Sequence, residues 1–181
     1  MWYVIQVVNG REDAMCELIE RVVPSGIIEE LFAPQYETEI KKNGSWLRVN
    51  KPLLPGYLIC VTRDPRAVEH HLLQIGEFAR VLSQGGDFVP LAKDEVELIA
   101  GFTHKGERVV PMSECLKEGD RVVVTKGPLL GHEGLIKSIN RHKNTAFLEF
   151  DLCGRRVTTR MGCAVLTQEQ WALRRARLAS A

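Results

Sequence analysis

Positively charged side chains in the second half of the chain have the types and spacing to bind a polyanion. Most of them fall where glycines and polar residues predict loops and strand ends, and such loops can converge at one end of a small β domain. Arginine and lysine would contact phosphates there, whereas Asn144 and the planar side chains of arginine and histidine could stack on or read unpaired bases. We therefore predict nucleic-acid contact, with a protein-binding surface as the alternative. The predicted set is Lys126, His132, Lys137, Arg141, His142, Lys143, Asn144, Arg155, Arg156 and Arg160.

A second basic group surrounds one predicted hairpin, and its members are Lys41, Lys42, Arg48 and Lys51. The rest of this half of the chain is acidic, so the group would form a local positive patch. Such a patch could contact the phosphates of a DNA strand. Lysines on hairpins are also common as solvated residues, and that alternative stays open.

The overall charge of +1 conceals a division between the two halves. Residues 1–102 carry 10 Lys and Arg against 15 Asp and Glu, whereas residues 116–181 carry 12 against 6. This asymmetry indicates that the second half meets a polyanion and that most of the first half does not.

Catalysis and metal binding find little support in the sequence. It has no phosphate-loop, zinc-protease or nucleophile-elbow motif, so we expect neither an enzyme nor a cofactor. His70 and His71 are adjacent on a predicted helix and point about 100° apart, which excludes a shared metal site. The five cysteines are odd in number and far apart. We therefore expect neither a disulfide framework nor a zinc site.

The chain lacks the features of a membrane or exported protein. No stretch approaches the roughly 20 apolar residues of a membrane span. The first residues have no basic flank or cleavage site of a signal peptide. We expect a cytoplasmic protein.

Hydrophobic patterning in the first half predicts strands with helices that return to one face. Turn residues at Asn9-Gly10 and Asn43-Gly44 separate the segments, and the second turn is typical of a two-residue hairpin. The predicted order is βαβββαβα, an α+β sandwich with an antiparallel sheet. Its segments are Trp2–Val8, a helix over Asp13–Val23, Leu31–Ile40, Ser45–Val49, Tyr57–Thr62, a helix from Pro65 to about Ile75, Ala79–Leu82 and a helix over Lys93–Phe102.

The second half has a different pattern, in which short β-branched runs alternate with glycines. This pattern predicts a small β-barrel of about five strands. Residues 103–115 lack periodicity and contain Gly106 and Pro111, which predicts a linker. The resulting organisation is a first domain over 1–102, the linker, a barrel over 116–167 and a helical tail over 168–181 that carries Arg174, Arg175 and Arg177.

Several of these segments together resemble one family. The strand Trp2–Gln6, the corner Leu54-Pro55-Gly56-Tyr57 and the later Gln84-Gly85-Gly86 are similar to the amino-terminal (NGN) domain of NusG transcription elongation factors. Gly119–Val122, Gly127–Leu129, Gly131–Gly134 and Gly154–Arg156 resemble an SH3-like KOW barrel. The ordered set covers nearly the whole chain. The resemblance implies an NGN α/β sandwich followed by a five-stranded KOW barrel.

The resemblance also implies partners. The corner formed by Leu53, Leu54, Pro55 and Tyr57 would receive the clamp helices of the largest subunit of RNA polymerase. We expect Leu53 and Leu54 to be exposed, because an alternating strand would bury only one of them. The basic hairpin would lie near the non-template DNA strand.

Two segments are more similar to the specialised subfamily LoaP. They are Pro52–Tyr57 and Ile139–Asn144, and their resemblance implies antitermination with recognition of an RNA hairpin in the nascent leader. The alternative is a general elongation and termination factor whose KOW domain binds Rho or a ribosomal protein. We expect a monomer in either case.

Overall fold

The computed structural model of the protein describes residues 1–103, 106–119 and 121–172. The helices are α1 (Glu12–Val22), α2 (Pro65–Leu72) and α3 (Lys93–Phe102). The strands are β1 (Trp2–Val7), β2 (Ile28–Phe32), β3 (Gln35–Lys42), β4 (Ser45–Pro52), β5 (Tyr57–Thr62), β6 (Ala79–Val81), β7 (Ser83–Gln84), β8 (Asp87–Phe88), β9 (Val109–Val110), β10 (Ser113–Glu118), β11 (Arg121–Lys126), β12 (Ile136–Asn140), β13 (Thr145–Leu152) and β14 (Arg155–Leu166).

The chain folds as two compact units. The first unit comprises Met1–Gln35, Pro52–Arg108 and Asp151–Val157. The second comprises Tyr36–Lys51, Val109–Phe150 and the described residues from Thr158 onwards. The hairpin of β3 and β4 thus groups with the second unit, although the boundaries predicted from sequence assign it to the first domain. Strand β10 likewise begins inside the predicted linker.

A four-stranded sheet in the order β2-β5-β1-β6 organises the first unit. Its neighbouring strands run antiparallel, with Ile5 opposite both Leu58 and Val81. Tyr3, Ile5 and Val7 alternate onto one face, where they join Met15 and Ile19 of α1 and Val68 and Leu72 of α2 in a buried core. This arrangement confirms the predicted α+β sandwich with an antiparallel sheet.

The predicted strand Leu31–Ile40 is wrong as a single element. Strand β2 ends at Phe32 and β3 begins at Gln35, because Pro34 lies between them and cannot donate a ladder hydrogen bond. The interruption allows β2 to pair in the sheet of the first unit, while β3 pairs with β4 and β9 in the second. Helix α2 also ends at Leu72, one turn before the predicted Ile75.

A five-stranded sheet in the order β11-β10-β14-β13-β12 organises the second unit. Its number of strands agrees with the predicted barrel, and the pairing of β10 with β14 is parallel. Leu129, Ala146, Leu148 and Met161 are buried in this unit. The hairpin strands β4 and β3, together with β9, form a further three-stranded sheet.

The spacing of the cysteines predicts no disulfide framework, but one disulfide is present. Cys115 and Cys163 are bonded, although 48 residues separate them in sequence. They lie on the adjacent strands β10 and β14, where Ser113 is the register partner of Cys163. Sequence spacing could not reveal this because strand pairing alone brings the two positions together.

The other three cysteines are free thiols. Burial raises the pKa of the Cys16 and Cys60 thiols to about 12 and the pKa of the Cys153 thiol to about 11.

Close packing joins the β3–β4 hairpin to the strands of the second unit. A Cβ added to Gly162 on β14 would clash with the backbone carbonyl oxygen of Glu37 on β3 and lie 2.6 Å from Met112 Cγ. The side chain of Glu37 also accepts a hydrogen bond from the Met112 N–H at 3.3 Å. The absence of a side chain at Gly162 therefore lets β3 lie directly on β14.

Residues 168–172, at the start of the predicted tail, are helical. The Thr167 side chain accepts from the Gln170 N–H at 3.3 Å, and the Gln170 side chain accepts from the Thr167 N–H at 3.0 Å, which together cap its first turn. Arg174, Arg175 and Arg177 lie outside the described residues. Within the described part of the chain, no helix is long and apolar enough to cross a membrane.

A candidate nucleic-acid interface

The hairpin of β3 and β4 has a defined register. Asn43 and Gly44 both have positive φ, at 51° and 82°, as a tight two-residue turn requires. That turn places Lys41 opposite Trp46 and Glu39 opposite Arg48. The second pairing agrees with the Arg48 Nε to Glu39 Oε1 distance of 3.7 Å. The hairpin therefore presents a cation and an indole side by side on one face.

A short basic turn in the second unit presents further cations. Arg141–Lys143 form one turn of 3₁₀ helix, whose preceding Asn140 accepts the Lys143 N–H at 3.0 Å. Asn144 ends it in a left-handed conformation with φ of 47°. The Asn144 side chain donates to Glu39 Oε2 on the hairpin at 3.3 Å. This bond fixes the basic turn against the hairpin.

The hairpin and the basic turn enclose a groove of about 400 Å³, which we call the basic groove. Its cationic residues come from both groups predicted from sequence, because the hairpin contributes Lys41 and Lys51 and the second half contributes Lys143 and Arg160. The remaining lining residues are Tyr36, Thr38, Glu39, Ile40, Trp46, Asn140, His142, Thr145 and Phe147. Four cations against one carboxylate give the groove the charge of a phosphate-binding surface.

Aromatic side chains accompany these charges. The guanidinium of Arg160 lies over the ring of Phe147, 5.3 Å from its centroid. Burial raises the pKa of the Tyr36 hydroxyl, and the nearby Arg160 charge opposes that rise. Trp46 leaves 49% of its surface exposed. The groove thus combines cations with aromatic surfaces, the combination that single-stranded nucleic acids bind.

The other predicted basic residues lie outside the groove lining. Arg48 is held between Glu37 at 3.6 Å and Glu39 at 3.7 Å, and with Lys126 it lines a neighbouring depression of the same unit. Lys42 is exposed beside the hairpin turn, and Arg141 is exposed in the basic turn. His132 precedes a short 3₁₀ turn, and Lys137 pairs with Glu149 at 3.3 Å.

Two further arginines group with the first unit. Arg155 lines a small cavity with Ser83 and Gln84, and Arg156 lies 3.8 Å from Asp151.

The expectation that Leu53 and Leu54 are exposed is wrong, since each is 1% exposed. Strand β4 ends at Pro52 and β5 begins at Tyr57, so the two leucines lie in a turn to which strand alternation does not apply. The Leu53 N–H donates to the Pro34 carbonyl at 2.7 Å, and the Tyr57 N–H donates to the Leu54 carbonyl at 3.0 Å. Pro55 remains exposed and Tyr57 is half-buried.

A buried glutamate holds this proline-glycine corner. Glu12, at the start of α1, is 4% exposed and accepts the Gly56 N–H at 2.7 Å. The same oxygen accepts the Gly10 N–H at 3.0 Å, and the Gly56 carbonyl accepts the Val7 N–H at 2.9 Å. The corner is therefore tied to the end of β1 and to α1.

Two known protein families match the sequence of this chain. Residues 1–100 match the family model described as transcription termination factor nusG, and residues 118–149 match the KOW motif. The chain belongs to the NusG family. Its predicted NGN and KOW organisation follows from the same two matches, and the proteins of this family are transcription factors rather than enzymes.

Individual NusG proteins are similar over most of their length. Transcription termination/antitermination protein NusG of Rickettsia typhi is 24% identical over 85% of this chain and 82% of its own. NusG of Borreliella burgdorferi is 24% identical over 85% and 90%, and NusG of Deinococcus radiodurans is 28% identical over 77% and 83%. A solved structure titled "Domain interaction in Thermotoga maritima NusG" aligns with a TM-score of 0.54 at 18% identity, covering 89% of this chain and 92% of that one. This likeness confirms the NusG fold.

Sequence reasoning missed several residues of these sites in this NusG-family chain. Trp46 and Tyr36 were not considered as groove residues, although the Asn43-Gly44 turn already places Trp46 beside Lys41. The sequence does not mark Glu12 as a residue that supports the corner, because acidic residues in the first turn of a helix are common. Its role depends on contact with a corner 44 residues away.

Proposed function

We propose that this NusG-family protein is a processive antitermination factor of the LoaP type. Its NGN domain docks on the clamp helices of the largest RNA polymerase subunit, and its KOW domain binds an RNA hairpin in the nascent leader. Two moderate interactions on one molecule raise the local concentration of the factor at the transcript. Binding at the clamp then disfavours pausing and termination.

The observation that carries the proposal is the basic groove. Lys143 of the Ile139–Asn144 segment, on which the likeness to LoaP partly rests, lines it together with Arg160. Lys41 and Lys51 add two further cations from the hairpin. A surface built from cations and aromatic rings fits the loop of an RNA hairpin better than it fits an apolar protein partner.

The polymerase would contact the corner around Pro55 and Tyr57. Leu53 and Leu54 would act beneath it as a rigid apolar support, since both are buried. Val8 adds exposed apolar surface near this corner, since 47% of it is accessible. Its neighbour Asn9 lies against the corner, with its Cα 3.9 Å from a Cβ built on Gly56. An apolar surface on a fixed corner loses little conformational entropy on binding, as interface anchors should.

Binding of the full-length protein to leader-RNA hairpins from its neighbouring operon tests the RNA function. Arg141→Ala and Lys143→Ala should each weaken binding and reduce the slope of log K against log salt by about 1. Lys93→Ala is the control, because Lys93 is an exposed cation on α3 in the first unit. If Arg141→Ala and Lys143→Ala both bind the leader hairpins as tightly as the wild type, the RNA function is contradicted.

Binding to the purified clamp coiled coil tests the docking surface. Tyr57→Ala should weaken it about tenfold or more, as loss of an interface anchor does. Val123→Ala removes an exposed apolar side chain from the other unit and should leave clamp binding unchanged. Equal affinities for the two variants would exclude the corner as the docking site.

A protein-binding KOW domain is the second candidate. Val123 and Leu130 are 44% and 54% exposed in the second unit, and exposed apolar side chains of this size suit a protein partner. In that case Val123→Ala and Leu130→Ala should abolish binding to Rho or a ribosomal protein, and the basic-turn variants should not.

A further inference from the structure

We propose that the basic groove holds an unpaired nucleotide whose base stacks on the indole of Trp46 while its flanking phosphates contact Lys41, Lys51 and Lys143. The inference rests on the proposed function and specifies which part of the nucleic acid the groove recognises. That segment is an unpaired strand, such as a hairpin loop, rather than a paired stem. The β3–β4 hairpin and the KOW strands then form one binding site instead of two.

Trp46 is the stacking surface. It lies in β4 and lines the groove, and its exposure of 49% is high for the largest apolar side chain. Stacking of a base on an exposed aromatic ring is a strong and sequence-tolerant interaction. Lys41, which the hairpin register places opposite Trp46, would lie close to the phosphate attached to a stacked nucleotide.

The lysines of the groove are available for phosphates. Within the described residues, no carboxylate forms a salt bridge with Lys41, Lys51 or Lys143. Glu39 is the one carboxylate among the lining residues, and it is occupied by Arg48 at 3.7 Å and by the Asn144 amide at 3.3 Å. Its negative charge is therefore compensated within the protein, and the lysines give the groove a net positive charge that a phosphate backbone would neutralise.

The size and lining of the groove favour a single strand. A volume of about 400 Å³ lies in the range of sites that enclose a small ligand, about 300–1,000 Å³. Paired bases in a duplex are stacked on each other and expose no face to an indole, whereas bases of a loop can be splayed out. Asn140 also lines the groove, and its side-chain NH₂ group can donate to a base edge while its oxygen accepts the Lys143 N–H.

Unpaired RNA and unpaired DNA share this stacking and phosphate chemistry, so the test must separate them. Fluorescence anisotropy of the full-length protein is measured with labelled eight-nucleotide oligouridine, with oligothymidine of the same length, and with a blunt RNA duplex. We expect the single strands to bind more tightly than the duplex at equal salt. Preference for oligouridine would assign the site to the transcript, and preference for oligothymidine would assign it to the non-template strand.

Substitution at Trp46 tests the stacking. Trp46→Ala should weaken single-strand binding about tenfold without changing its salt slope, while Trp46→Phe should recover most of the loss. Lys51→Ala should instead reduce the salt slope. Leu47→Ala is the matched control, because Leu47 is the next residue on β4, is 45% exposed and does not line the groove.

Two results would overturn the inference. Equal affinity of Trp46→Ala and Leu47→Ala for single strands would exclude stacking at Trp46, and tighter binding of the duplex would exclude an unpaired ligand. Either result leaves RNA binding through the KOW domain intact if leader hairpins still bind and Lys143→Ala still weakens them. If neither leader hairpins nor single strands bind, the proposed RNA function fails as well.

Discussion

The carboxylate of Glu12 accepts the N–H of Gly56 at 2.7 Å, and this bond fixes the proline-glycine corner to the first helix. Gly56 has φ of 81°, a conformation that favours glycine, and its N–H points into the protein. The bond connects the start of α1 with the surface that we propose for polymerase docking. The position of the corner therefore depends on a residue that need not touch the polymerase.

Glu12→Ala should destabilise the protein by about 1–3 kcal/mol, because the buried N–H of Gly56 loses its acceptor. The corner should also become mobile, so affinity for the clamp coiled coil should fall while Tyr57 is unchanged. Thermal unfolding and clamp binding measure the two effects. Glu20→Ala, an exposed position on the same helix, should change neither. Wild-type stability of Glu12→Ala would show that the bond contributes nothing.

Arg108→Ala should destabilise the first unit by about 3–5 kcal/mol, because a buried ion pair loses one partner. Arg108 contacts both oxygens of Glu30, at 2.8 and 2.6 Å, and its guanidinium lies 4.2 Å from the Phe32 ring centroid. Arg108→Lys should recover little, since an ammonium cannot make the two-point contact. Urea unfolding midpoints measure the loss.

The control for this ion pair is Arg63→Ala. Arg63 also pairs with a glutamate, Glu29 at 2.9 Å, but its side chain is 91% exposed. Loss of such a surface pair should cost about 0–1 kcal/mol. Similar losses for the two arginines would contradict the importance of burial.

Gly162→Ala should disturb the packing of β3 on β14 at a cost of about 1–3 kcal/mol, because the new methyl group would overlap the Glu37 carbonyl. Since β3 carries Lys41 and pairs with the strand of Trp46, oligonucleotide binding should weaken as well. Gly134→Ala is the control, because a Cβ there meets no atom within 4 Å. Binding and stability equal to those of Gly134→Ala would show that β3 can move aside without loss.

Stability should fall as the pH rises above about 9, and Cys60 should contribute to that fall. Burial raises the pKa of its thiol from 9.0 to about 12. Between these values the unfolded chain releases the proton while the folded chain keeps it, so alkali favours unfolding. Unfolding free energies of wild type and Cys60→Ala at pH 8 and 10.5 measure the effect, and the variant should lose less stability between them. Equal losses would contradict it.

Local sequence patterns alone predicted much of the secondary structure in the first half of the chain. The strand Tyr57–Thr62 and the helix Lys93–Phe102 have the predicted bounds, and the Asn43-Gly44 turn lies where its residues indicated. These elements depend on turn chemistry and on alternation along a few residues, which a sequence displays directly. The same patterns, ordered along the chain, also indicated the family.

Only the tertiary structure decided which of these residues meet. It buried Leu53 and Leu54, bonded Cys115 to Cys163 and joined two separate basic groups in one groove with Trp46. Each of these outcomes depends on contacts between segments far apart in sequence. Such contacts form when strands pair and a core closes, and the types and spacing of neighbouring residues do not encode them locally.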